Sequence, residues 1–311
     1  MLYFLITISF FFLTIYIFRH NYWALFPFYL LSYIFRNAII TNIYKLPLIR
    51  KSWQLPEMDA ESFRVSPQNH KPIVVCCGDS ITHGHIGYNW VRSLRKRDNA
   101  KLYINAGINA DLTWNLNQRI EDIVKHNPDY VTILIGTNDV IGSQNIKHIQ
   151  KYYMTTKNLP RLPHIDWYAS ELEKFIKKIK TKTNAKIVIS TLPWLGEQYE
   201  SEIIKIVKDH NEIIRTLSKK YKLSVIDLFQ DFKNIIHTSN STPYSTSEIR
   251  RLRGLRAVIL YYVFGWSWTE IGRKYNLKLL CDHIHLNEKA GMILEEKIMT
   301  FIDSNSTPDR I

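Results

Sequence analysis

Between residues 72 and 303 short apolar runs alternate with stretches of helical period. The runs are Ile73–Cys77, Lys101–Ala106, Tyr130–Ile135, Lys186–Leu192 and Ser224–Phe229. They are β-branched and nearly continuous, the pattern of strands buried on both faces. Between them Leu112, Leu116, Ile120 and Ile123 recur at helical spacing, as do Ile203, Val207, Ile214 and Leu217. Asp166 to Lys182 predicts a further helix with Asp166 as its N-cap, and the last helix is predicted from about Asn287 to Ile302. Five strands alternating with helices imply an α/β fold built on a parallel sheet covered on both sides. In such sheets ligand sites form beyond the carboxyl ends of the strands.

The amino terminus has a different pattern. Met1 to Phe18 is apolar and carries no charged side chain. As a helix it would extend about 27 Å, close to the thickness of a bilayer's hydrocarbon core. Tyr22 to Phe35 is a second apolar stretch, interrupted by Pro27. It is read as a second span, a re-entrant piece or an interfacial helix. No basic residue precedes Arg19 and no small-residue cleavage site follows, which favours a retained anchor over a cleaved signal peptide. Arg19, Arg36, Lys45, Arg50 and Lys51 follow the first run, and no acidic residue occurs before Glu57. Positive flanks prefer the cytoplasmic side, so the following domain is expected there. From about Ser52 to Pro72 the chain has three prolines and no periodicity, and is read as a linker.

Composition changes this picture little. The formal net charge is +13, which suits an acidic partner or an anionic membrane. Much of it lies in solvated helical patterns such as Lys177, Lys178, Lys180 and Lys182. No basic motif is interleaved with aromatic residues, so nucleic acid is not an expected partner. The three cysteines, Cys76, Cys77 and Cys281, have neither metal-ligand spacing nor the density of a disulfide framework. Asn240-Ser-Thr and Asn305-Ser-Thr match glycosylation acceptors, triplets that arise readily by chance.

Candidate chemistry follows the strands. The first ends in Gly78-Asp79-Ser80-Ile81-Thr82. A serine at a strand-to-helix turn exposes its hydroxyl and turns its own amide to the same pocket, although turns favour all three residue types anyway. The second ends in Asn105-Ala106-Gly107-Ile108-Asn109, where Gly107 lets a backbone N–H approach a ligand or simply permits a tight turn. The third ends in Gly136-Thr137-Asn138-Asp139; the Asn138 amide is a donor for an oxyanion or an N-cap. Near the carboxyl end, Asp282-His283-Ile284-His285 places a carboxylate three residues before an imidazole, within reach to fix its tautomer. Each is weak alone. Together they supply a nucleophile, oxyanion donors, a base and its orienter, the parts acyl transfer needs.

The four blocks, in this order, resemble the SGNH/GDSL hydrolase family over roughly residues 72 to 303. The resemblance implies a flavodoxin-like three-layer α/β/α fold and ester hydrolysis without a cofactor or metal. It makes Ser80 the nucleophile, His285 the base and Asp282 its orienter, with Ser80, Gly107 and Asn138 as the oxyanion hole. The last block of that family often has Gly after the Asp; here His283 stands there and is expected to narrow the site. His83 and His85 follow the nucleophile and are read as polar loop positions before rival bases or metal ligands.

The expected organisation is an anchor over residues 1–51, a linker over 52–72, a hydrolase domain over 73–303 and a tail over 304–311. A helical insertion is expected at about 235–278. Its stretch from Ser247 to Phe264 carries Arg250, Arg251, Arg253 and Arg256 beside an apolar stripe of Ile249, Leu252, Leu255, Ile259 and Tyr262, followed by Trp266 and Trp268. Two readings stand: a lid or interfacial helix that meets lipid, or a helix packed on its own domain. The expected function is hydrolysis of small-molecule or lipid-like esters. The alternatives are an acyltransferase on the same scaffold or a membrane-tethered binding module. A nucleotide-binding protein is disfavoured, because Gly-Asp-Ser-Ile-Thr is no glycine-rich phosphate loop. Oligomeric state is left open.

Overall fold

The computed structural model describes residues 55–237, 240–244 and 248–306, without the side chains of 248–252. The expected anchor over 1–51 and the tail from 307 lie outside the described residues. Among those described, no helix is long and apolar enough to cross a membrane.

The chain runs β1 (Ile73–Gly78), α1 (Ser80–His83), α2 (Trp90–Arg97), β2 (Leu102–Gly107), α3 (Thr113–Gln118), α4 (Ile120–Val124), β3 (Tyr130–Leu134), α5 (Thr137–Ser143) and α6 (Lys147–Thr156). It continues with α7 (Ile165–Lys182), β4 (Lys186–Ser190), α8 (Glu202–Tyr221), β5 (Ser224–Ile226), α9 (Leu228–Ile236), α10 (Glu248–Tyr262), α11 (Trp268–Arg273) and α12 (Glu288–Ser304). The strands form one parallel sheet in the order β2-β1-β3-β4-β5, the flavodoxin-like order. Right-handed crossovers put α2 on one face and α3, α4, α7 and α8 on the other. α12 packs against α2 and α7 against α3, α4 and α8, which closes the two outer layers. The core lies between sheet and helices, with Val74, Val75, Ile104, Val131, Leu172, Phe175 and Leu294 fully buried. Cys76 and Cys77 are free thiols buried in it, and Cys281 is a free thiol buried elsewhere in the fold.

Local chemistry shifts several expected boundaries. Ser224–Phe229 is strand only to Ile226; Asp227 accepts from Gln230 N and starts α9, so Leu228 and Phe229 are helical. The helix expected across Leu112–Ile123 is broken at Arg119, whose side chain is drawn to Asp111 and to Gly78 O. α7 is capped by His164, which accepts from Asp166 N, and not by Asp166. The stretch read as a linker is docked onto the sheet from Leu55 onward. Met58 O accepts from Asn105 N and Ala60 N donates to Asn105 O, adding a few residues to the β2 edge.

Candidate active site

β1 and β3 are neighbours, yet the chain leaves β1 toward β2 and leaves β3 toward β4. The crevice beyond their carboxyl ends is the switch point where such sheets bind ligands, and Ser80 and Asn138 follow these two strands. Asp79 caps α1 by accepting from Ile81 N at 3.0 Å, and this turn places Ser80 at the first helical position. There the Ser80 N–H has no acceptor within its own helix.

The Asp282–His285 segment is a tight hairpin and not a helical turn. Leu280 bridges Leu286, Cys281 N donates to His285 O at 2.9 Å and Asn287 N to Leu279 O at 2.8 Å. One Asp282 oxygen accepts from Ile284 N and His285 N, at 3.1 and 2.9 Å, and the other lies 2.8 Å from His285 Nδ1. His285 Nε2 lies 2.9 Å from Ser80 Oγ. An ionised carboxylate only accepts, so Nδ1 carries the ring proton and Nε2 is left to accept from the serine hydroxyl. Burial alone would raise the Asp282 carboxyl; the His285 ring and the backbone donors outweigh it and bring it down to about 2.

The expected oxyanion donors divide. Gly107 N–H is occupied by Asn105 Oδ1 at 2.8 Å. The reason for glycine here is space: a β-carbon would lie 2.3 Å from His83 N and 2.8 Å from Asp79 O, inside the backbone that carries Ser80. Asn138 is no N-cap, since α5 starts at Thr137 behind Gly136. Its Nδ2 donates to Asp111 O at 3.0 Å and lies 3.4 Å from Asp79 Oδ2, while its Oδ1 accepts from Tyr153 OH at 2.7 Å. Asp111 is ion-paired with Arg119 and Lys157. Burial raises Asp79 to about 7, and Asp139, which accepts from Thr113 N and Oγ1, likewise to about 7.

A sequence model of the GDSL-like lipase/acylhydrolase family matches residues 76–290. The chain belongs to that family. An acetylxylan esterase of Geobacillus stearothermophilus is 22% identical over 137 residues, 43% of this chain and 58% of that enzyme. Its aligned part is thus less than two thirds of the relative. Among solved structures, an acetylxylan esterase from the same organism superposes with a TM-score of 0.52 at 18% identity, covering 74% of this chain and 94% of that one. A lipase/acylhydrolase from Enterococcus faecalis does so with a TM-score of 0.50 at 20% identity, covering 77% and 100%. These likenesses show the fold.

Against the family pattern, His283 does not narrow the site. It takes φ 77°, a left-handed conformation, and turns its buried ring toward Thr242 and Arg253 of the insertion. His85 stacks on Tyr262, whose hydroxyl donates to His85 O at 2.8 Å. Burial lowers His83 to about 4, keeping it neutral. Among the described residues no group of three or more His, Cys, Asp or Glu is placed to hold a metal ion.

The insertion packs on its own domain along an unexpected face. Ala257 and Val258 of α10 are buried, and Ala257 joins Trp268, Ile271 and Cys281 in a small cluster. Leu255 and Ile259 of the expected stripe are only half-buried, and Tyr262 is exposed. Two further groups escaped sequence reading. Tyr153 has no local signal. Glu197, fully buried past β4, accepts from Lys278 N, Leu279 N and Leu280 N at 2.7, 2.7 and 3.0 Å and props the segment that leads to Asp282. Its place beyond a strand's carboxyl end was the available signal.

Proposed function

We propose that this chain hydrolyses carboxylic esters through an acyl-enzyme on Ser80. The observation that carries the reading is the unbroken relay from Ser80 Oγ through His285 to Asp282, at 2.9 and 2.8 Å. As Ser80 Oγ attacks the acyl carbon, its proton passes to His285 Nε2. The carbonyl oxygen gains charge beside Ser80 N–H; Asn138 Nδ2 joins it by leaving its long 3.4 Å contact with Asp79 Oδ2, and Gly107 N–H only by leaving Asn105. Asp282, ionised down to about pH 2, steadies the imidazolium. His285 then protonates the leaving alcohol, and a water, deprotonated by the same ring, releases the acid from Ser80. Preorganised donors of this kind contribute about 100- to 1,000-fold each.

The acetylxylan esterase relatives support a short acyl group. One of their solved structures, at a TM-score of 0.51, is described as a catalytic mutant with a serine replaced by alanine. Val263 and Phe264, 60% and 65% exposed just beyond α10, and the apolar amino terminus support a lipid-like alcohol and an anchored enzyme. The positive flank of that terminus favours the cytoplasmic face.

The test is labelling by a serine-reactive fluorophosphonate, with turnover of p-nitrophenyl esters of increasing acyl length. Wild type is expected to label and Ser80→Ala to lose both label and turnover. Labelling that persists in Ser80→Ala would move the nucleophile elsewhere, and turnover of long acyl chains alone would reject the short-acyl reading.

A further inference from the structure

His283 sits at the apex of the turn that carries the proposed triad acid and base. Its φ of 77° is the left-handed conformation. A residue with a β-carbon is biased against that conformation by about 5- to 30-fold, and glycine is not. The legs of the hairpin are held from the sheet side. Glu197 takes three consecutive N–H groups before Cys281, and Gly196 N donates to His283 O at 2.8 Å. The His283 side chain is held from the other side, by Thr242 and Arg253 of the insertion.

Its Nε2 lies 3.0 Å from Thr242 O, which can only accept, and 2.9 Å from Thr242 Oγ1. Nε2 therefore carries the hydrogen, and Arg253 Nη1 lies 3.2 Å from Nδ1. The same Nη1 is 3.0 Å from Nε2, so the guanidinium lies across the ring. Arg253 is itself fixed: Nη1 reaches Pro243 O at 3.3 Å, and the guanidinium sits 5.0 Å over the Tyr275 ring, which His283 meets edge-on at 5.4 Å. Burial, then the Arg253 charge, lowers the His283 pKa, so the ring stays neutral beneath the guanidinium. The next residue, Gly254, brings the axis of α10 so near that a β-carbon there would stand 3.7 Å from Asp282 Oδ2.

We propose that α10 is a positioning element of the active site: Arg253 grips His283 and holds the turn in the left-handed conformation that keeps Asp282 aimed at His285. The proposal rests on Ser80, His285 and Asp282 being the catalytic triad. Arg253 touches no reacting atom and is a positioning residue. A plain strut between α10 and the domain would have the same contacts but a different consequence. Its loss would cost the same whatever residue occupied position 283, whereas a grip on His283 cannot matter once that side chain is gone.

The experiment is a double-mutant cycle in the full-length chain. It compares wild type, Arg253→Ala, His283→Gly and the double variant, with His283→Ala as a fifth protein. The readouts are kcat and KM on p-nitrophenyl acetate and the rate of fluorophosphonate labelling. Arg253→Ala is expected to lower kcat and the labelling rate together by about 10-fold, with KM changed by less than about 2-fold, in keeping with the handedness bias. In the His283→Gly background the same change is expected to cost less than about 2-fold. His283→Ala, which keeps the β-carbon without the grip, is expected to be slower than His283→Gly. Should Arg253→Ala fail to fold, Arg253→Met, which keeps length but no donor, takes its place in the same cycle. A wild type that does not label overturns the catalytic reading itself. A wild type that labels, with Arg253→Ala equally fast, overturns the grip alone. Equal losses in both backgrounds make Arg253 a strut and overturn it too.

Discussion

Replacing Asp139 by Asn should make the protein less pH-sensitive in stability, and the sign can be worked out from burial. In the folded chain Asp79 and Asp139 hold their protons up to about pH 7, against the ordinary 3.8, chiefly because burial disfavours the charged forms. In the unfolded chain both release them near pH 4. Between these limits the folded state binds more protons. Each carboxyl's contribution is therefore complete below about pH 4 and is lost as pH rises through about 7. A shift of about 3 units corresponds to a ceiling on the order of 4 kcal/mol per group. Asp139 Oδ2 accepts from Thr113 N and Oγ1 at 3.0 and 3.1 Å, contacts that an Asn carbonyl retains. At pH 3 the variant is expected to lie within about 1 kcal/mol of wild type, because Asp139 is then protonated in both the folded and the unfolded chain and, like Asn, carries no charge. At pH 8 it is expected to be the more stable by about 2–4 kcal/mol. Asp79 still titrates, so roughly half the pH slope remains. Urea unfolding followed by tryptophan fluorescence at both pH values measures this. Parallel pH curves for the two proteins would refute the reasoning.

Two further substitutions probe the oxyanion side. Gly107→Ala pushes a β-carbon onto the His83 and Asp79 backbone. It is expected to cost about 1–3 kcal/mol of stability and, by displacing Ser80, at least about 10-fold in kcat; a kcat within 2-fold of wild type would count against the close approach. Tyr153→Phe deletes one hydroxyl and leaves Asn138 Oδ1 without its 2.7 Å donor. A stability loss of about 1–3 kcal/mol is expected, seen as a lowered Tm. Because Asp111 O still orients Nδ2, kcat should fall far less than the 100- to 1,000-fold expected of Asn138→Ala. Equal losses in the two variants would show that Tyr153 alone orients the amide.

The sheet was legible because parallel strands buried on both faces write themselves as unbroken β-branched runs, and all five runs are strands in part or whole. Where a run continues into a helix the pattern is silent. Leu228 and Phe229 extend the apolar stretch of β5, and only the N-cap at Asp227 marks the change. The four motifs were legible because each follows a strand or precedes the last helix, where backbone geometry concentrates chemistry. What no periodicity encodes is which distant side chain completes a local one. Tyr153 reaches Asn138, Glu197 reaches the Lys278–Leu280 amides and Arg253 reaches His283 across 15, 81 and 30 residues. On α10 the residues that are fully buried are the smaller Ala257 and Val258, while Leu255 and Ile259 of the apolar stripe are half-buried and a polar grip adds to the contact.

The buried cysteines have a practical consequence. All three sulfhydryls of the chain are sealed inside the described fold. Burial pushes Cys76 to about 12 and raises Cys77 and Cys281 as well. Thiolate is the species that alkylating reagents consume, so the native protein presents almost none. A cysteine engineered onto the surface would stand as the sole reactive handle. Spin labels, fluorophores or crosslinkers can then be attached without first stripping the natural thiols from the core.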